Sequence, residues 1–110
     1  MGASVEVKTL KQGDWTVLQV IGRIDTTTAG TAEKAAMDAV AQTKKLAMDM
    51  SALEYISSAG LRILLRIGKK AKREGKNFVL CRVEGMVKEI MEDSGTDMLF
   101  QIYESLEDLN

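Results

Sequence analysis

The stretch LAMDMSALEYISSAGLRILL, residues 46–65, decides how this chain folds. Leu46 to Met50 is apolar apart from Asp49 and reads as a short buried strand. From Ser58 a helix is predicted to about Glu74, with Leu61, Leu64, Leu65, Gly68 and Ala71 toward the core and Gly75 as its stop. Ser51-x-x-Glu54 has capping-box spacing, but the stronger helix start at Ser58 lies only a few residues on, so residues 51–57 read as loop. Ser57, Ser58, Ala59, Gly60 and Leu61 thus fall at a helix N-terminus, where backbone N–H groups lack partners and the dipole favours negative charge. A serine there has two uses. Its oxygen caps the first turn, or its hydroxyl carries a phosphate.

Toward the N-terminus, Val5 and Val7 alternate with Glu6 and Lys8, the period of a half-buried strand. Gln12, Gly13 and Asp14 supply turn residues, so this strand is expected to pair antiparallel with the next. That next strand, Trp15 to Ile21, is apolar on both faces and is expected to end at Gly22. Asp25, Thr26, Thr27 and Thr28 are helix-capping types ahead of Ala29 to Thr43, where Ala32, Ala36, Ala39 and Val40 share a face. Toward the C-terminus, a strand at Phe78 to Cys81, a helix at Met86 to Asp93, a short strand at Leu99 to Ile102 and a terminal turn from Ser105 to Leu109 complete the pattern.

This order of elements predicts a single α/β domain over residues 1–110. The sheet is mixed and mainly parallel, of about five strands with an antiparallel N-terminal strand. The carboxyl ends of its parallel strands, with the loops beyond them, form the functional edge of such a sheet, and the 51–57 loop and the Ser58 helix start lie there.

Composition excludes much chemistry. With 45% hydrophobic residues in 110, the chain supports one modest core. Fifteen Lys and Arg against sixteen Asp and Glu give a net charge of −1, which draws the protein neither to nucleic acid nor to anionic lipid. Apolar runs fall far short of the roughly 20 residues that span a bilayer, and residues 1–9 do not read as a signal peptide. A cytoplasmic protein is expected. The chain has no histidine, so histidine-dependent serine and cysteine nucleophiles are absent and zinc would find one soft ligand, Cys81. No serine has a lysine three residues on, and Gly75-Lys76 lacks both the upstream glycine and the following Ser/Thr of a phosphate-binding loop. No catalytic residues, cofactor or metal are expected.

Cys81, in the run Phe78 to Leu80, reads as a buried strand residue. Arg62, Arg66, Lys69, Lys70, Lys72, Arg73 and Lys76 gather positive charge on one segment, either as a solvated face or, for Arg62, as a contact to an acidic patch on a partner. Met86 and Met91 are expected to pack against the sheet rather than face a partner.

The 46–65 stretch resembles the STAS domain of bacterial anti-sigma factor antagonists, in which strand, Asp-x-Ser, short loop and Ser-Ser/Ala-Gly-Leu helix start recur. Gly22-Arg23-Ile24-Asp25 resembles that family's turn after the second strand, and Val83 to Gly95 resembles its third helix with the closing Ser-Gly. One departure is Ser57, where many regulatory members carry an acid. The resemblance implies helices packed largely on one face of the sheet. It also implies phosphorylation at Ser58, with Ser57 the lesser candidate, and a partner surface of Asp25, Thr26, Ser57, Ser58, Ala59, Gly60 and Arg62. The implied cycle has the unphosphorylated form capture an anti-sigma factor serine kinase and so free a sigma factor. Phosphorylation then releases the kinase, and a serine phosphatase restores the binding form. Other roles of the same family are a subunit of a lipid- or anion-transport assembly and a small-ligand sensor without phosphoswitching.

Overall fold

Two N-terminal strands form a hairpin about Gly13 and Asp14, in a computed structural model that describes residues 4–109. β1 (Val5–Gln12) and β2 (Trp15–Ile24) pair antiparallel from Val5 opposite Gly22 to Gln12 opposite Trp15, as their sequence predicts. β2 does not end at Gly22. That residue has φ +109°, and a β-carbon on it would lie 2.4 Å from the carbonyl oxygen of Ser4. The glycine therefore admits a close approach of backbone within the strand rather than terminating it.

Helix α1 (Ala29–Gln42) buries Ala29, Ala32, Ala36 and Val40, while Ala39 is only half-buried. β3 (Lys45–Asp49) runs parallel to β2, pairing Leu46 with Thr16 and Asp49 with Gln19. The expected loop at 51–57 contains a strand, β4 (Leu53–Ile56), parallel to the far end of β2. It extends along the side of β2 that β3 occupies, beyond the point where β3 stops. Its register shifts by one residue, Gly22 facing Leu53 but Arg23 facing Tyr55, and the extra Glu54 is exposed. A bulge in a strand of four residues disturbs the two-residue alternation by which strands are recognised. The sheet accordingly has six strands among the described residues, not five.

Helix α2 (Ser58–Arg73) buries Gly60, Leu61, Ile63, Leu64, Ile67 and Ala71. Leu65 and Gly68, expected in the core, are half-buried, and Ile63 and Ile67 take their place. The stripe is rotated because Gly60 is seated against β2 and β4: a β-carbon there would meet Ile56 Cγ1 at 2.5 Å and Ile24 Cγ2 at 2.8 Å. Burial of Leu61, Ile63, Leu64 and Ile67 is worth on the order of 6–12 kcal/mol in total, so packing rather than propensity holds this helix.

β5 (Asn77–Cys81) pairs parallel with β3, and helix α3 (Gly85–Ser94) follows. Met91 is fully buried, but Met86 is 56% exposed and does not pack against the sheet as expected, because it lies off the helix face that carries Val87 and Met91. The strand expected at Leu99 to Ile102 is displaced. After Gly95 at φ +75° the chain makes a 3-10 turn over Thr96–Leu99, and β6 is Ile102–Tyr103, parallel to β5.

All three helices contribute to one apolar cluster on one face of the sheet, with Leu18, Val20, Ile24, Met48, Ile56 and Leu80. Trp15, Val17, Ala47, Val79 and Cys81 face the other way and pack with Leu106, which opens the C-terminal 3-10 turn Leu106–Asp108, and with Leu109, which follows it. Cys81 is fully buried, and burial together with the nearby Asp49 charge pushes its thiol up to about 11.

Candidate functional site

The carboxyl ends of β2 and β4 lie side by side, with Ile24 opposite Ile56. The next residue on each strand is a site residue predicted from sequence: Asp25 after β2, Ser57 after β4. The backbone N–H of Ser57 donates to Ile24 O at 2.8 Å, so the pairing continues one residue beyond β4. The sheet thus brings together two segments that are remote in sequence.

Ser57 and Ser58 have different surroundings. Ser57 is the N-cap of α2: its backbone is extended, its Oγ accepts the Gly60 N–H at 3.3 Å and its carbonyl accepts the Leu61 N–H at 2.9 Å. It is half-buried. Ser58 is the first helical residue, is exposed, and its hydroxyl makes no hydrogen bond to the described residues. Ala59 is half-buried against the core and Gly60 is buried on the ends of β2 and β4. The capping and exposed roles that sequence leaves open for one serine fall on two neighbours.

Asp25 organises the turn into α1. Its Oδ1 accepts from the Thr27 hydroxyl at 2.7 Å, from the Thr27 N–H at 2.9 Å and from the Thr28 N–H at 3.2 Å. The Thr27 hydroxyl is foremost in holding the carboxyl below its ordinary range, with the Thr27 N–H next and the Thr28 bonds adding to it; partial burial opposes them. The Asp25 N–H donates in turn to Thr28 Oγ1 at 2.9 Å, and that hydroxyl donates to Arg23 O at 2.8 Å. Thr26 is exposed at the crest of this turn.

Arg62, one turn into α2, is exposed and makes no ion pair with the described residues. Arg66, a further turn on, is held by Glu33 of α1 through bonds of 2.6 and 3.0 Å. Lys70 and Lys76 both pair with Glu74, at 2.9 and 3.3 Å. Three of the seven cations in the run, Arg66, Lys70 and Lys76, are therefore tied within the fold.

Sequence reading missed two features. Arg23 lies 4.6 Å from the centre of the Tyr55 ring, a cation–π contact at the rim of the site that depends on the unforeseen β4 register. Asp49 is fully buried, and it accepts from Arg82 Nε at 3.1 Å, Arg82 Nη2 at 2.5 Å and the Ser51 N–H at 3.0 Å. Burial pushes its carboxyl upward, but the bonds from Arg82 and Ser51 outweigh it and leave the group below its ordinary range. The sequence signal was a lone acid in an apolar strand, which requires a partner. Arg82 meets it from a left-handed backbone conformation, φ +54°, that no local pattern announces. The Asp49–Ser51 bond shapes the turn that leads into β4, and so supports the strand that ends at Ser57.

Three surface depressions, beside Lys88, Asp38 and Phe100, are lined by none of Asp25, Ser57 and Ser58. No group of three or more His, Cys, Asp or Glu among the described residues is arranged to hold a metal ion. No helix among them is long and apolar enough to cross a membrane.

Comparison with known proteins agrees with this architecture. RsfB of Mycobacterium tuberculosis, an anti-sigma-F factor antagonist, is 30% identical over 106 residues, which cover 96% of this chain and 86% of that protein. BtrV of Bordetella bronchiseptica, provisionally assigned as an anti-sigma factor antagonist, is 36% identical over 64 residues; that match spans 58% of this chain and 55% of BtrV. The crystal structure of an anti-sigma factor antagonist from Mycobacterium paratuberculosis superposes with a TM-score of 0.85 at 29% identity, covering 96% of this chain and 90% of that one. The sequence profile of the STAS domain matches residues 6–109, a span that takes in the hairpin, the parallel strands and the Ser57–Ser58 junction, and the chain belongs to the STAS domain family.

Proposed function

We propose that this protein is a phosphorylation-controlled binding switch that acts as an anti-sigma factor antagonist in the cytoplasm. In this reading the unphosphorylated form captures an anti-sigma factor serine kinase through the Asp25 turn and the start of α2, and a sigma factor is freed. The kinase transfers the γ-phosphoryl group of ATP to Ser58 Oγ, the hydroxyl proton passes to a base of the kinase, and ADP leaves. The added phosphate, about −1.5 to −2 charges, releases the kinase, and a serine phosphatase hydrolyses the ester to restore the binding form. The chain itself catalyses nothing; nucleotide and metal belong to its partners.

The observation that carries this reading is the exposed hydroxyl of Ser58, unbonded to the described residues, on the first residue of α2 and directly beside the Asp25 turn. Near-complete alignment with RsfB, named as an anti-sigma-F factor antagonist, supports it. The test is incubation with the cognate kinase and ATP followed by peptide mapping. One phosphate on Ser58 is expected, with Ser57 the lesser site. A phosphate on Ser51, Ser94 or a threonine, or co-purification with a membrane permease in place of a kinase, overturns the reading.

A further inference from the structure

The charges of α2 are unevenly distributed. The first turn holds no acid, and the last turn holds Lys70, Lys72 and Arg73. Near the start of the helix each cation but one is occupied: Arg66 is bound to Glu33 and Arg23 lies over the Tyr55 ring. Arg62 is exposed and unpaired among the described residues. It stands four residues after Ser58, and positions i and i+4 stack on one face of a helix with β-carbons about 6 Å apart. It stands five residues after Ser57, which turns it away from that side chain.

We propose that Arg62 is the built-in counter-ion of a phosphate on Ser58, the modified serine and the guanidinium closing an i,i+4 pair on the surface of α2. This rests on the reading of Ser58 as the modified position and adds what modification does to the surface. A guanidinium presents a planar fork of donors that matches phosphate oxygens two at a time. Before modification Arg62 is free to meet an acidic group of a partner; after it, the cation is held at home. A single transfer thus changes the surface twice, adding an anion and withdrawing a cation. On the adjoining turn, the Asp25 Oδ1 is already engaged by Thr27 and Thr28.

The test uses full-length protein with phosphoserine incorporated at position 58 during synthesis, with and without Arg62→Gln, titrated by phosphorus NMR. The second ionisation of the phosphate is expected about 0.3 of a unit lower with Arg62 than with Gln, a twofold change in proton affinity. Arg62→Lys should recover part of it. The Arg62 Nε–H resonance should move on modification while that of Arg66 does not. Phosphoserine at position 57 should titrate alike with either residue at 62. Equal titration of the two position-58 proteins, or equal dependence on Arg62 at position 57, overturns the proposal. Because no kinase enters the experiment, a kinase map that misses Ser58 would sink only the modified position, and equal titration would sink only the pairing.

Discussion

Ser57 donates its backbone N–H to Ile24 O across 2.8 Å, which joins the last residue of β2 to the cap of α2. Asp25 and Ser58 each follow one of these two residues, so their spacing is set by sheet pairing and not by a loose loop. A surface built in this way is ordered before a partner arrives, and association is spared part of the entropy of ordering.

Charge at position 58 should control capture of the kinase. Ser58→Asp should weaken binding at least tenfold, because carrying an anion into an interface costs several kcal/mol of desolvation, which an exposed i,i+4 pair with Arg62 offsets only in small part, and about 1.4 kcal/mol is already tenfold. Ser58→Ala should bind like the unmodified protein and never be switched off. Calorimetry that finds equal affinity for the two variants removes the charge mechanism.

Asp25 should be separable into a fold role and a contact role. Asp25→Asn keeps an oxygen for the Thr27 and Thr28 donors, so it should leave the melting temperature nearly unchanged while weakening kinase capture or slowing phosphorylation. Asp25→Ala should lower the melting temperature as well. If Asn lowers the melting temperature but leaves affinity and phosphorylation rate alone, Asp25 is a structural residue only.

Two glycines should respond oppositely to alanine. At Gly60 a β-carbon would meet Ile56 Cγ1 at 2.5 Å and Ile24 Cγ2 at 2.8 Å, so Gly60→Ala should cost about 1–3 kcal/mol and lift the start of α2. At Gly30, exposed in the first turn of α1, nothing lies within 4 Å of the added carbon, and Gly30→Ala should stabilise by up to about 1 kcal/mol. Denaturant midpoints for both variants decide the matter, and a Gly60→Ala protein as stable as the parent contradicts the seating of α2.

Acid should find the Asp49–Arg82 pair. Because the Asp49 carboxyl is held below its ordinary value of 3.8, its stabilisation is complete above that value and is lost as pH falls through the lower folded-state value. Asp49→Asn, which leaves Arg82 without its counter-charge, should destabilise at neutral pH by about 2–3 kcal/mol. It should also flatten the fall of stability below about pH 4. Parallel pH profiles for parent and variant would show that the pair does not contribute in this way.

Much of the fold is legible because local patterns and tertiary demands agree. Alternation over Val5 to Lys8, turn residues at Gly13 and Asp14, and the apolar run at Leu46 each specify one element without help from afar. The failures share a cause. β4 exists because Leu53 and Ile56 find the end of β2, and with Glu54 bulged out its four residues carry no clean period. The face of α2 is set by Gly60 against Ile24 and Ile56, so a helical wheel drawn from α2 alone is rotated. Ser57 and Ser58 were recognisable as a pair, but the division of capping from exposure between them depends on the bond from Ser57 to Ile24. Arg82 could not be matched to Asp49, because its side chain arrives from just beyond the end of β5 through a left-handed backbone.

Trp15 is the chain's one tryptophan, and it belongs to the apolar cluster that contains Leu109 and the half-buried Leu106. It opens β2, whereas the site lies beyond the other end of that strand, about 30 Å away at the rise of an extended chain. The protein's own emission spectrum is therefore a gauge of whether the C-terminal turn is seated on the sheet, and it will stay dark to events at Ser58. A spectroscopic assay of switching needs a fluorophore introduced near Tyr55. An unchanged tryptophan signal on addition of a kinase is the expected reading of a complex formed at the opposite end of the sheet.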